Sequence, residues 1–563
     1  MRRLILPPVL IAVCVAALGV ACDSSDDNPG SPLPTPDGGA DVVVRGTDAG
    51  DQQGDANPDA ANADADAASD AGTDSGPGSS CTPGDDLAHA PPAMNIDGLP
   101  AVPIDIHGVD AKVTLDAATK VGTVDVTMRF KMGAKSGYPI FDLRQTIQTA
   151  KVNGTELSPQ SMELHDFSGG DGAELRIIAE TNLAACSENT IQLTYTLGKP
   201  ASGSSIPLTW GTDVKSVNWD FWLGDLIAGR YLEMWFPANL IYDKFGFNLD
   251  IDLKNVDTVH VPVTNGTVTK VGETHWQIAY PERFTALSPM LKFVPENTLD
   301  RHPNTELTLQ DGTKVQLELV KEKTVSGDLP AIAKDIETYL NEFVASSGPY
   351  QHGDRLTVYI WNNPSRSMEF DGATTSNLRS LKHELYHSWF ARGVKPALGR
   401  DGWFDEAWTV YNTDSALAFE VKPFNFSATP VKLAHESPWR RLTPGASYSA
   451  GEKVFAGLAH AVGLAQLREA MKEFARLHAR NVVTTEDLEK YLYCTFKNPD
   501  IVRGFHRFVY GRYDAAPTPD GSMCTPAEKD RWVIRPYDRS QVRTDAVEAT
   551  RETDPELKRL IEQ

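Results

Sequence analysis

The period of the apolar residues changes part-way along this chain, and that change limits the folds open to it. From about Asn95 to Val294, short runs alternate apolar and polar side chains between Gly, Asn and Asp; examples are Lys112–Leu115, Gly122–Val126, Glu174–Ile178 and Thr190–Tyr195. A period of two puts successive side chains on opposite faces, so these runs predict strands with one buried face, gathered in an all-β domain. From Leu329 to Val344 (LPAIAKDIETYLNEFV) the apolar spacing is helical, while Leu356 to Trp361 (LTVYIW) is the continuous apolar run of a strand covered on both faces. Several helices follow to about Val509. The chain is therefore read as multidomain α+β, with an N-terminal all-β domain over 93–298 and a mixed α/β unit passing into a helical C-terminal part over 299–517. Residues 518–563 are a charged tail, with one more surface helix expected from Glu548 to Glu562. No internal repeat is found.

Nothing before about residue 93 belongs to that core. Met1-Arg2-Arg3 precede the apolar run Leu4 to Ala21, which is too short and too N-terminal to span a membrane in the mature protein and reads as a signal peptide over 1–21. Its end, Leu18-Gly19-Val20-Ala21-Cys22, resembles a bacterial lipoprotein signal, although Gly19 stands where a large aliphatic residue is usual. The resemblance implies lipidation of Cys22 and an exported protein lipid-anchored to a bacterial cell-envelope membrane. Ordinary signal cleavage would instead leave it periplasmic or secreted. Residues 22–92 form an Asp/Ala/Gly-rich tether without the apolar content to make a core. It holds fifteen aspartates against one arginine, Arg45, so −14 of the net charge of −23 is a solvated spacer. As a coil of about 70 residues it averages about 45 Å end to end. With 76 acidic against 53 basic residues, the chain repels phosphate backbones and no nucleic-acid partner is expected.

The cysteines suit an oxidising compartment. Cys14 leaves with the signal and Cys22 is the lipid candidate, which leaves Cys81, Cys186, Cys494 and Cys524. Of the three possible pairings we favour Cys494 with Cys524, which flank one C-terminal region, and Cys81 with Cys186; buried free thiols are the alternative. No two cysteines form a CxxC pair, so a thiolate zinc site has no support.

The residues that carry chemistry lie in Leu381-Lys382-His383-Glu384-Leu385-Tyr386-His387-Ser388-Trp389-Phe390. His383 and His387 are four apart, so on a helix both imidazoles leave one face and can hold a single metal, and Glu384 beside them can take a proton from water. A hydrolytic zinc site needs a third protein ligand and one open position. Glu406, in Trp403-Phe404-Asp405-Glu406-Ala407-Trp408, follows His387 after 18 intervening residues and opens another predicted helix. Either acid of that pair alone could simply complement a helix N-terminus. At this spacing, ligation explains Glu406 better.

HExxH, eighteen residues, then Glu in an aromatic-acid-Glu helix start resembles the zinc signature of the gluzincin aminopeptidases, the family of alanyl and leucyl aminopeptidases. Other segments are similar to that family in the same order: Phe141-Asp142-Leu143-Arg144 with Ala150-Lys151-Val152-Asn153-Gly154, Trp235-Phe236-Pro237 leading to Asp243 and Phe247-Asn248-Leu249, Tyr448-Ser449-Ala450-Gly451, and Phe505 to Gly511. The resemblance implies a thermolysin-like catalytic domain, one zinc ion on His383, His387 and Glu406, Glu384 as general base, and Tyr448 as hydrogen-bond donor to the oxyanion. The alternative for Tyr448 is a helix-end packing residue.

Ser367-Met368-Glu369-Phe370 resembles the family's Gly-x-Met-Glu-Asn element, which implies substrate binding by Met368 and Glu369, the glutamate pairing with a free amino terminus. Here Arg366 and Ser367 occupy glycine positions and Phe370 replaces the usual Asn. Only thirteen residues separate Glu369 from His383, fewer than the family has, so the edge strand is shortened or the alignment is wrong. An arginine beside the site could also pair with Glu369 and leave the cleft open to internal bonds. Milder departures are Lys382, Ser388, Asp405 and Ala450. The sequence thus points to a zinc metallopeptidase acting on peptides, expected to remove N-terminal residues. Its rivals are an endopeptidase and a non-catalytic surface-binding protein of the same fold, against which the intact Glu384 speaks.

Overall fold

A computed structural model describes residues 87–167, 173–198, 208–221, 232–363, 367–413, 419–519 and Cys524. The signal, Cys22, the tether, Cys81, Arg366 and the tail from 525 lie outside the described residues. The described residues fall in one compact unit.

The period-two segments are strands. The largest sheet has eight, in the order Thr267–Lys270, His275–Tyr280, Gly246–Lys254, Ile104–Asp116, Val121–Met132, Glu188–Thr196, Ile147–Val152 and Thr155–Leu157. All neighbours are antiparallel except Gly246–Lys254 beside Ile104–Asp116. On Val121–Met132 the even positions Val124, Val126, Met128, Phe130 and Met132 are buried and the odd ones face water, as alternation requires. A four-stranded and a five-stranded sheet complete this β region. Its core is shared with a belt of aromatics around Trp219, Trp235, Phe236 and Phe293.

The sheet of the second half runs Leu299–Arg301, Lys314–Glu322, Arg355–Ile360, Ala373–Ser376, Met368–Phe370, with Thr305–Thr308 pairing alongside Lys314–Glu322. Arg355–Ile360 is parallel to both of its neighbours and covered on both faces. Leu356, Val358 and Ile360 join the helical core, whereas Tyr359 and Trp361 join the β core. That double cover is why the run shows no polar alternation. Helix α1 (Leu329–Ser347) crosses between Lys314–Glu322 and Arg355–Ile360; the Asp328 side chain caps its first turn and Gly348, at φ +95°, ends it. After the sheet come α2 (Leu381–Tyr386), α3 (Trp403–Thr413), α4 (Ala446–Ser449), α5 (Gly451–Val462), α6 (Leu464–Leu477), α7 (Thr485–Phe496) and α8 (Pro499–Phe508). Cys494 and Cys524 form a disulfide, and Cys186 is also disulfide-bonded. Among the described residues no helix is long and apolar enough to cross a membrane.

Candidate active site

Two local features bring the signature residues together. Helix α2 ends at Tyr386, but His387 keeps helical angles (φ −57°, ψ −14°), so the four-residue spacing still puts both imidazoles on one face. Helix α3 begins at Trp403 and carries Glu406 in its first turn against that face. The hairpin Met368–Phe370/Ala373–Ser376, closed by Asp371-Gly372, lays Glu369 alongside. Gly372 sits at φ +65°, the left-handed region that such a tight turn demands. This two-residue turn accounts for the short distance in sequence from Glu369 to His383.

The nitrogen Nε2 of His383 lies 3.1 Å from Nε2 of His387, and Glu406 Oε2 lies 3.3 Å from the first and 3.5 Å from the second. Zinc–ligand bonds of about 2.0–2.1 Å in a tetrahedron imply edges of about 3.3–3.4 Å, so the triangle of donors has the size of one face of a zinc site. The donor chemistry agrees. Nδ1 of His387 lies 3.1 Å from the Phe390 carbonyl, which can only accept, so Nδ1 carries the proton and Nε2 turns its lone pair to the cluster. Thr409 Oγ1, 3.2 Å from the same Nδ1, fixes the ring further. Glu406 Oε1 accepts a hydrogen bond of 2.6 Å from the Tyr448 hydroxyl, while its Oε2 is buried and receives no hydrogen bond. An orphaned carboxylate oxygen facing two imidazole nitrogens fits a divalent cation.

Charge points the same way. One carboxylate oxygen each of Glu369 and Glu384 and a nitrogen of His387 lie within 4.8 Å of one another. Burial alone would push the His387 imidazole down, but the carboxylates of Glu369, Glu406 and Glu384 outweigh it and hold the group well above its ordinary value. Burial would likewise raise Glu406, yet His387 and His383 hold it far below the usual carboxylate range. Without a cation this field favours a proton on His387; a metal ion answers the same demand. The side chain of His383 is 23% exposed against 1% for His387 and 4% for Glu406, so the cluster opens to solvent on the His383 side.

The structure brings together His383, His387, Glu406, Glu384, Glu369 and Tyr448, whose ring stacks on His383 at 6.4 Å between centroids. It does not bring Met368 there. On a three-residue strand Met368 and Phe370 share one face, which packs into the β core, and only Glu369 faces the histidines. Glu369 does not stand alone: Nη2 of Arg392 lies 2.9 Å from its Oε1, and both side chains are almost fully buried. The sequence did not reveal Arg392, since its route to Glu369 depends on the turn after α2.

A second buried pair steadies this region. Lys395 Nζ lies 2.7 Å from Asp371 Oδ1 in the hairpin turn, and His352 bridges the same aspartate (3.8 Å) and the Ser388 carbonyl (2.9 Å).

The sequence matches no family model and no curated protein. The fold does have solved neighbours. An M1 zinc metallopeptidase from Deinococcus radiodurans superposes with a TM-score of 0.51 at 16% identity, over 74% of this chain and 95% of that one. A mutant of that metallopeptidase was solved with a Tyr-Ser-Ala substrate, at TM-score 0.51 and 15% identity, over 74% and 96%. Legionella pneumophila aminopeptidase A gives 0.55 at 14%, over 74% of this chain and 51% of that one. The fold is that of the M1 zinc metallopeptidases. Yeast LTA4 hydrolase shares this M1 fold, with a TM-score of 0.52 at 14% identity over 74% and 69%. In this chain the M1 fold pairs a β-rich N-terminal part with a helical C-terminal part, the α+β architecture its residue periods predict.

Proposed function

We propose that this protein is a zinc-dependent peptide hydrolase, exported and held to a cell-envelope membrane through lipid on Cys22. The observation that carries the hydrolase reading is the triangle of His383 Nε2, His387 Nε2 and Glu406 Oε2, with edges of 3.1, 3.3 and 3.5 Å, beside a further acid, Glu384. Those three residues would hold one zinc ion, which when bound supplies Lewis-acid polarisation of the scissile carbonyl and makes water a better nucleophile. Glu384 accepts the proton of the attacking water and returns it to the leaving amine. Tyr448, whose hydroxyl donates to Glu406 Oε1 and whose ring stacks on His383, would exchange that hydrogen bond for one to the oxygen on which negative charge develops. Phe390 and Thr409 keep the His387 ring from rotating. A peptide substrate is supported by the solved neighbour that holds one. The anchor is supported by the sequence around Cys22.

The test is metal analysis of the purified folded part together with a panel of peptide substrates. Wild type is expected to carry one zinc and to cleave peptides, and His387→Ala or Glu406→Ala to lose both. Near-stoichiometric zinc in either variant would show that the ligand set is wrong.

A further inference from the structure

A peptidase that selects free amino termini needs an anionic group left over to meet the substrate's ammonium. The sequence resemblance gives that part to Glu369, which lies beside Glu384 and His387, and here the fold spends its charge internally. After His387 the chain turns at Ala391, whose φ of +97° is unusual for a residue with a side chain. Gly393 follows, where a Cβ would come within 2.5 Å of the Ser388 and Trp389 carbonyl oxygens. The turn is closed by the N–H of Arg392 donating to the His387 carbonyl (3.0 Å) and the N–H of Val394 donating to that of Trp389 (2.9 Å). Held this way, Arg392 reaches the Glu369 strand. Its Nε donates to the backbone carbonyl of Glu369 (3.2 Å), its Nη1 to the Ala391 carbonyl (3.1 Å), and its Nη2 sits 2.9 Å from Glu369 Oε1. The guanidinium is 1% exposed and the carboxylate 4%, so neither swings out to solvent to make room.

We infer that Arg392 neutralises Glu369 and sets the substrate class: the site takes peptide chains whether or not their amino terminus is free, including N-acylated ends and internal bonds. The inference rests on the peptidase reading. The charges in the cluster support it. Glu369, Glu384 and Glu406 contribute three negative charges and Arg392 one positive, leaving two that a divalent cation on neutral imidazoles cancels. Among these residues the Arg392 charge answers that of Glu369, which is the pairing an ammonium would need. Without Arg392 one negative charge would remain beside the site, and an amino terminus would fill the place of the guanidinium. Arg392 is thus a positioning residue that acts through Glu369.

The experiment measures equilibrium binding to zinc-loaded wild-type protein, which keeps the Glu384 charge, using peptides whose amide bonds are replaced by ketomethylene groups so that they are held without being cleaved. The probes are one mixed-sequence tetrapeptide pool, with the amino terminus either free or acetylated. We expect the two dissociation constants to lie within fivefold of each other. Adding Arg392→Gln should favour the free pool by tenfold or more, and Arg392→Lys, which keeps the positive charge, should restore the parental ratio. A parent that prefers the free pool a hundredfold overturns the inference, because removing one partner of a buried ion pair acts on that scale. So does Arg392→Gln with unchanged ratio, zinc content and melting temperature. If Arg392→Gln does not fold, Glu369→Gln decides: an unmoved ratio supports neutralisation, and a selective tenfold loss of free peptide refutes it. Wild type that cleaves nothing defeats the hydrolase reading and leaves the binding ratio to judge this one; a parent that binds neither pool defeats both.

Discussion

Acidification is expected to weaken this fold through His352, by an amount the structure allows one to work out. His352 is 6% exposed; its Nε2 donates to the Ser388 carbonyl at 2.9 Å and its Nδ1 lies 3.8 Å from Asp371 Oδ1. Burial, the largest influence, pushes the imidazole down; Asp371 pulls it up, Lys395 and Arg480 push it down further, and it settles at about 4. The unfolded chain titrates near 6.5. A base depressed in the folded state stays neutral there while the unfolded state takes up a proton. Stability is therefore fully present above about pH 6.5 and declines as pH falls towards 4. At about 1.4 kcal/mol per pH unit over about 2.5 units, the loss is about 3 kcal/mol, a large share of the 5–15 kcal/mol that usually holds a domain together. His352→Gln keeps an N–H for Ser388 but does not titrate. Urea unfolding of wild type and variant at half-unit steps from pH 7 to pH 4 isolates the effect, since every other titrating group is common to both. The advantage of wild type over the variant should shrink by about 3 kcal/mol across that range. An advantage that stays constant with pH would refute the argument.

Other outcomes follow from the same structure. Glu384→Gln should keep its zinc and lose about 10² to 10⁴ in rate, the usual worth of a general base; Tyr448→Phe should also keep zinc while kcat falls more than KM changes, and parental turnover in either variant would remove that residue's role. Cys524→Ser opens a disulfide spanning 30 residues and should cost about 3–4 kcal/mol in chemical denaturation; a loss under 1 kcal/mol would mean that the loop is held by its packing instead. Labelled fatty acid should enter wild type in a bacterial host and not Cys22→Ala, whereas equal labelling of both would exclude the anchor.

Much of the fold and most of the metal cluster could be read from residue order, because they depend on local repetition. A period of two on Val121–Met132 can bury one face only as a strand, and a spacing of four puts His383 and His387 on one side of any helical turn. The eighteen residues to Glu406 mark a third ligand only when two helices can pack across the loop, and α2 and α3 do. The Asp-Gly pair that closes the Glu369 hairpin was also visible in the sequence as a turn signal, and it would have explained the short distance from Glu369 to His383. The same alternation separates Met368, which enters the β core, from Glu369, which enters the site.

Which partner Glu369 meets was decided only in three dimensions. Arg392 lies 23 residues away in sequence, and its guanidinium reaches the carboxylate because Ala391 adopts a left-handed turn and Gly393 allows two carbonyls to crowd the backbone. No period or spacing encodes that path. The Lys395–Asp371 pair and the His352 bridge are likewise tertiary, since each joins the hairpin to the segment after α2. Sequence by itself determined where strands and helices form and which residues could bind a metal, because backbone geometry repeats with a fixed period. Tertiary structure decided which charges neutralise one another in the buried site, because Coulomb energy depends on distance through space and burial, not on separation along the chain.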